Sequence, residues 1–115
     1  MTFRARPEHE AFPGYLNGGI LGTLVDCHMN WAATYALMQR GGLDAPPCTV
    51  TAEYQVRFMR PLPTAGEIEV VARAVDVTDD RATVEATITA GGRSCATARG
   101  TFVAVTEGHP AFHRW

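Results

Sequence analysis

The sequence predicts an α+β chain in which one long helix lies across an antiparallel β-sheet. Three observations carry this reading. Residues 17–40 hold the only long helical pattern. Residues 49–60, 67–77, 81–90 and 94–105 read as long strands. The breaks between those strands are short and rich in turn residues, so neighbouring strands run antiparallel.

The helix comes first. Ile20, Leu24, Cys27, Trp31, Tyr35 and Met38 recur at steps of three and four, which predicts one apolar stripe facing the core. A second face carries Gly22, Thr23, Asp26, Asn30 and Ala33; it is small and polar around one carboxylate. Gly18 and Gly19 precede the first apolar residue, while Gly41 and Gly42 follow the last turn, where a helix end favours glycine.

The strands follow from alternation. Residues 49–60 place Val50, Ala52, Tyr54, Val56 and Phe58 on one side and Thr51, Glu53, Gln55, Arg57 and Met59 on the other. Residues 61–66 (PLPTAG) break the pattern. The valine-rich stretch 67–77, the Asp79-Asp80 turn, the clean alternation of 81–90 and the Gly91-Gly92 hairpin lead into the last strand. Residues 2–6 suit a short edge strand, and the proline- and glycine-bearing 7–16 a loop. A helix of about 22 residues spans about 33 Å, enough to cover one face of such a sheet. The other face, or an edge, is expected to meet another subunit.

Composition removes several function classes. At 115 residues the chain is expected to form one domain, residues 1–115. The net charge of -2 gives no nucleic-acid footprint. No apolar run reaches the roughly 18 residues that cross a bilayer, and the first ten residues lack a signal-peptide core. All ten cationic side chains are arginine, so Schiff-base and P-loop lysines are excluded. Cys27, Cys48 and Cys95 form neither a disulfide framework nor a zinc pattern, which favours a reducing cytosol and no metal.

PGYLNGGILGTLVDCH and YQVRFMRPLPTAGE together resemble the hotdog-fold thioesterases, in particular the phenylacetate-pathway type of acyl-CoA thioesterase. The shared features are the glycine pair Gly18-Gly19, the acidic Asp26 nine residues after Asn17, and Phe58, Arg60, Pro61 and Gly66. The family more often has histidine where Asn17 stands. The resemblance spans about residues 3–105 and implies a sheet wrapped around one central helix. It also implies hydrolysis of an acyl-CoA without a cofactor, by a homodimer or homotetramer whose sites lie between subunits. In that family two helices lie antiparallel, and one subunit's carboxylate serves the other's helix mouth. Thr51 matches a hydroxyl position that helps hold the attacking water in some members.

The residues themselves support this chemistry. A thioester hydrolase needs oxyanion donors and an activated water or nucleophile. The first N–H groups of a helix lack intrahelical partners and sit at its positive end. Gly18 is therefore the leading oxyanion donor and Gly19 the next, although both glycines also suit tight packing. Asp26 lies about 12 Å along the axis from Gly18, too far to act on the same thioester within one chain. Asn17 suits both a helix cap and a substrate contact. Asn30 could orient Asp26, and Gly22 and Ala33 could line a close inter-helix seam. His28 faces elsewhere and reads as a buried or interface residue. Arg57, Arg60 and Arg93 are candidates for the coenzyme A phosphates. Two other classes fit the chain: a hotdog dehydratase or hydratase, which Asp26 and His28 do not match in spacing, and a non-catalytic acyl-CoA-binding module, which would not need Asp26.

Overall fold

The structure, a computed structural model, describes residues 1–113. A short strand β1 (Thr2–Arg4) leads through a 3-10 turn to a two-strand hairpin, β2 (Glu10–Phe12) and β3 (Tyr15–Leu16). So the stretch expected to be loop holds a small hairpin. The long helix α1 (Gly18–Gly41) follows, then β4 (Thr49–Phe58), β5 (Glu67–Val77), β6 (Arg81–Ala90) and β7 (Arg93–Ala104). The main sheet is antiparallel in the order β1-β5-β6-β7-β4, with α1 packed across one face against the four long strands. This is the helix-on-sheet arrangement that the sequence predicts.

Local chemistry sets the ends of the elements. Asn17 caps α1, its side chain accepting from the Gly19 N–H at 2.7 Å. Gly42 closes the helix in the left-handed region at φ 60°. Gly91 and Gly92 both take positive φ, as the two-residue hairpin between Ala90 and Arg93 requires.

The helix meets the sheet with a different stripe from the one its periodicity predicts. Leu21, Val25, Met29, Ala33 and Leu37, spaced by four, are the residues buried against Ile68, Val70, Val84, Ile88 and Phe102. Cys27 is exposed, and Trp31 and Tyr35 are 52% and 57% accessible. The helix has two apolar stripes, and period alone cannot rank them. The five side chains of the buried stripe carry no hydrogen-bonding group, and the buried Thr34 beside them is satisfied by the Thr49 hydroxyl. Burying the other would enclose an indole N–H and a phenol, each needing a partner. Burial of each large aliphatic side chain contributes about 1.5–3 kcal/mol, so the all-aliphatic stripe prevails. Ala33 is therefore 0% exposed and cannot line an inter-helix seam. Gly22 is likewise buried against its own sheet.

A bulge alters β4. Thr51 pairs with Phe102 and Glu53 with Thr101, which leaves Ala52 as an extra residue. The alternation expected over 49–60 therefore changes phase at Ala52. Thr49 and Thr51 before it, and Tyr54, Val56 and Phe58 after it, all share the helix-facing side with Phe102, Gly100, Ala98 and Ala96. The opposite face carries rows of polar residues, such as Arg73-Glu85-Arg99-Gln55, tied in part by an Arg99–Glu85 ion pair at 2.9 Å. That face suits water and needs no covering layer. Of the large exposed apolar groups, Trp31, Tyr35, Tyr54, Phe58 and Met59 belong to α1 and to the edge strand β4 with its exit, while Phe12 and Tyr15 lie on the small hairpin and Val71 and Val75 on β5.

Candidate functional site

β4 runs antiparallel beside α1, and they meet at successive levels one helical turn apart. At the lowest level the Thr49 hydroxyl donates to Asn30 Oδ1 at 2.7 Å and is bonded to the buried Thr34 hydroxyl. One turn up, the Thr51 hydroxyl donates to Asp26 Oδ1 at 2.7 Å. At the third level Gly22 lies against the Tyr54 ring; a Cβ on Gly22 would stand 3.2 Å from the Tyr54 hydroxyl. At the helix mouth Gly18 lies beneath Phe58, 3.4 Å from its Cζ measured from the missing Cβ. The steps 18, 22, 26 and 30 on the helix thus face 58, 54, 51 and 49 on the strand, the bulge at Ala52 taking up the mismatch.

This geometry brings Thr51 and Asp26 together. The half-buried carboxylate is held by a hydroxyl on one oxygen, leaving its other lone pairs for water or substrate. Asn30 takes its hydrogen bond from Thr49 rather than standing as a partner of Asp26, so it belongs to a structural rung. The two glycines of the mouth differ. The Gly19 amide is engaged by the Asn17 cap, whereas the Gly18 amide has no acceptor among the described residues and lies at the positive end of the helix.

The arginines separate. Arg57 alternates with Phe58 and projects onto the outer sheet face, in a trough of about 610 Å³ with Arg73 and Arg99. Arg60 and Arg93 lie at the end of the sheet nearest the helix mouth, where the Met59 and Arg60 amides both bond to the Cys95 carbonyl. None of Arg57, Arg60 and Arg93 forms an ion pair among the described residues. His28 lies half-buried away from Asp26; burial pushes its pKa down, and the Met1 ammonium adds to that. Among the described residues no three His, Cys, Asp or Glu side chains converge as a metal site would require.

Sequence reasoning assigned no site role to Tyr54, Phe58 or Thr49. The available signal was the four-residue step joining Gly18, Gly22, Asp26 and Asn30, which marks one line along the helix. The bulge hid the matching line on β4.

Comparison with known proteins agrees with this architecture. The family model described as the thioesterase superfamily matches residues 13–97. No curated protein matches the chain. Among solved structures, a thioesterase superfamily protein from Shewanella loihica is 28% identical, with 91% of this chain and 81% of that one covered at a TM-score of 0.76. A conserved protein from Pseudomonas aeruginosa is 26% identical over 90% of this chain and 78% of its own, with a TM-score of 0.73. A Thermus thermophilus thioesterase complexed with coenzyme A and zinc shares the fold at 24% identity, 97% and 82% coverage and a TM-score of 0.70. With a family match covering most of its length, and with the helix and sheet arranged as in those structures, the chain belongs to the thioesterase superfamily.

Proposed function

We propose that the protein is an acyl-CoA thioesterase, acting as a homodimer whose two sites each combine Gly18 of one chain with Asp26 of the other. The observation that carries this reading is the pairing on one helix line of an unpartnered amide at Gly18 and a hydroxyl-braced carboxylate at Asp26. Within one chain the two are eight residues apart, about 12 Å along the axis. An isologous pairing, in which residue 18 meets 26 and 26 meets 18, resolves that distance twice over. It also covers the apolar edge strand β4, which pairs on one side only.

In this reading the substrate carbonyl oxygen rests on the Gly18 N–H. Asp26, oriented by Thr51, takes a proton from water as the water attacks the thioester carbon. Negative charge develops on the oxygen and is stabilised by the amide and the helix dipole. The tetrahedral adduct collapses, the carbon–sulfur bond breaks, and coenzyme A leaves as a thiol with the proton from Asp26. Asn17 shapes the mouth as its cap. Arg60 and Arg93 flank the mouth and suit the phosphates of coenzyme A better than Arg57, which faces the outer trough. Coenzyme A is the bound molecule in the Thermus structure, which supports this substrate class. The motif resemblance to the phenylacetate-pathway type supports that subgroup, and tetramers built from such dimers are a further assembly. The free state of Cys27, Cys48 and Cys95 suits a cytosolic setting. No helix among the described residues is long and apolar enough to cross a membrane.

The test is complementation. Gly18→Val places a branched side chain under Phe58 and displaces the oxyanion, costing roughly 3 to 4 kcal/mol in the rate. Asp26→Asn removes the base. Each variant alone is expected to be nearly inactive in releasing thiol from acyl-CoA. Mixed under subunit exchange, they should regain activity, since one site of the mixed dimer then has both intact groups. An active monomer in sedimentation, or no recovery in a verified mixed dimer, would defeat the shared site.

A further inference from the structure

Tyr54 occupies a slot that two missing side chains create. A Cβ on Gly22 of the helix would stand 3.2 Å from its hydroxyl, and a Cβ on Gly100 of β7 would stand 2.9 Å from the Phe102 ring and 3.1 Å from the Tyr54 Cβ. At Gly22 the Tyr54 ring would have to shift by a few tenths of an ångström to admit a Cβ, and at Gly100 a Cβ would press on the Phe102 ring and the base of Tyr54, so glycine at both positions lets Tyr54 sit where it does. Tyr54 is nonetheless 42% exposed on the open edge strand, and its hydroxyl has no hydrogen-bond partner among the described residues. A half-exposed aromatic seated this closely is a wall with one face still to be used.

Its level along the helix is informative. If Gly18 of one chain meets Asp26 of its partner, paired positions sum to 44, and the two-fold axis passes the level of residue 22. Tyr54 is the β4 residue at that level, between Phe58 at the level of Gly18 and Thr51 at the level of Asp26. Both Tyr54 rings of the dimer therefore stand between its two sites. A thioester carbon at the level of Gly18 is only about 6 Å along the axis from that wall, four residues at the helical rise.

We propose that Tyr54 is a specificity-determining residue that closes the inner end of each acyl pocket and restricts the enzyme to short acyl groups. This rests on the shared-site thioesterase reading. The acyl group enters from the helix mouth, where Arg60 and Arg93 leave coenzyme A toward solvent, and runs inward toward the axis until it meets the phenol ring.

Steady-state thiol release from butyryl-CoA and dodecanoyl-CoA tests it, on variants checked for fold by circular dichroism and for assembly by sedimentation. The parent protein is expected to favour butyryl-CoA. Tyr54→Ala should raise the dodecanoyl-to-butyryl ratio of kcat/KM by about 10-fold or more, the scale on which pocket fit discriminates chain length. Tyr54→Phe, which keeps the ring, should leave that ratio unchanged. Gly22→Ala pushes the ring into the pocket and should lower the ratio further, so the idea stays testable should Tyr54→Ala fail to fold. A folded, dimeric Tyr54→Ala or Gly22→Ala with the parent ratio, or a parent that prefers dodecanoyl-CoA, overturns the assignment and leaves the thioesterase reading standing. No thiol release by the parent from either compound overturns the thioesterase reading, and this assignment with it.

Discussion

Toward the C-terminal half of α1 the contact with β4 is closed by hydrogen bonds, whereas toward the N-terminal half it is kept open by glycine and aromatic rings. Thr34, Thr49 and Asn30 form a connected set, and Thr34 and Thr49 are almost wholly buried. Gly18, Gly22, Tyr54 and Phe58 make no hydrogen bonds across the contact, and both rings remain partly accessible. Asp26 stands at the border, bonded to Thr51 at its own level on β4. The same helix and strand thus serve two purposes. The closed half ties the two elements together by side-chain hydrogen bonds, and the open half is the part that the proposed site would use. In the proposed site, preorganisation of this kind would place the rigid support beside the reacting group rather than on it.

The largest expected effect falls at the border. Asp26→Asn preserves shape and should keep the Thr51 contact, yet it removes the carboxylate proposed as the base. Its turnover with acyl-CoA should fall by a factor on the order of 10² or more. Near-normal turnover would place Asp26 on the structural side of the comparison.

A smaller effect, of a different kind, is expected in the closed half. Thr49→Val is close in shape but removes the donor to Asn30 and the partner of Thr34. Buried polar groups left unpaired cost roughly 1–3 kcal/mol, so the urea midpoint should drop accordingly. Rate per folded molecule should change little. If instead the rate collapses while the midpoint holds, the two halves do not divide as described.

The smallest effect concerns His28, on neither side of the seam. Its folded pKa lies below the ordinary 6.5 through burial and then the nearby Met1 ammonium. Below 6.5 the unfolded chain takes up a proton that the folded chain resists. The stability from neutral His28 is therefore complete above pH 6.5 and is lost as pH falls through the folded pKa. His28→Gln should flatten that part of a thermal-denaturation profile and leave the neutral-pH rate unchanged. A profile as steep as the parent's would assign the acid sensitivity to other groups.

The residues that the proposed site uses stand out in the sequence because the patterns that mark them are local. Gly18 and Gly19 before an apolar run mark a helix mouth, and Asn17 at its head marks a cap; both lie there. The step from those glycines singles out Asp26 and the family resemblance singles out Thr51, and the structure joins the two by a hydrogen bond. Less was legible where two local patterns compete. The stripe through Trp31 and Tyr35 is as periodic as the stripe through Leu21 and Met29, and nothing local distinguishes them. Asn30 stands one turn from Asp26 in either case, but its partner is set by the strand that arrives beside it.

The sequence by itself determined the long helix and the four long strands, the helix ends, the tight hairpin at Gly91-Gly92 and the residue types of the helix mouth. Those features depend on backbone conformation and on neighbours within a few positions, which the chain carries wherever it goes. Only the tertiary structure decided that β4 crosses to the far edge of the sheet and pairs with β7 rather than with β5. It alone decided that the bulge at Ala52 turns Thr51 and Tyr54 to the same side, and which apolar stripe of α1 is buried. These are choices between arrangements that satisfy the same local rules. They are settled by how large side chains, glycine gaps and buried hydroxyls fit together across distant parts of the chain.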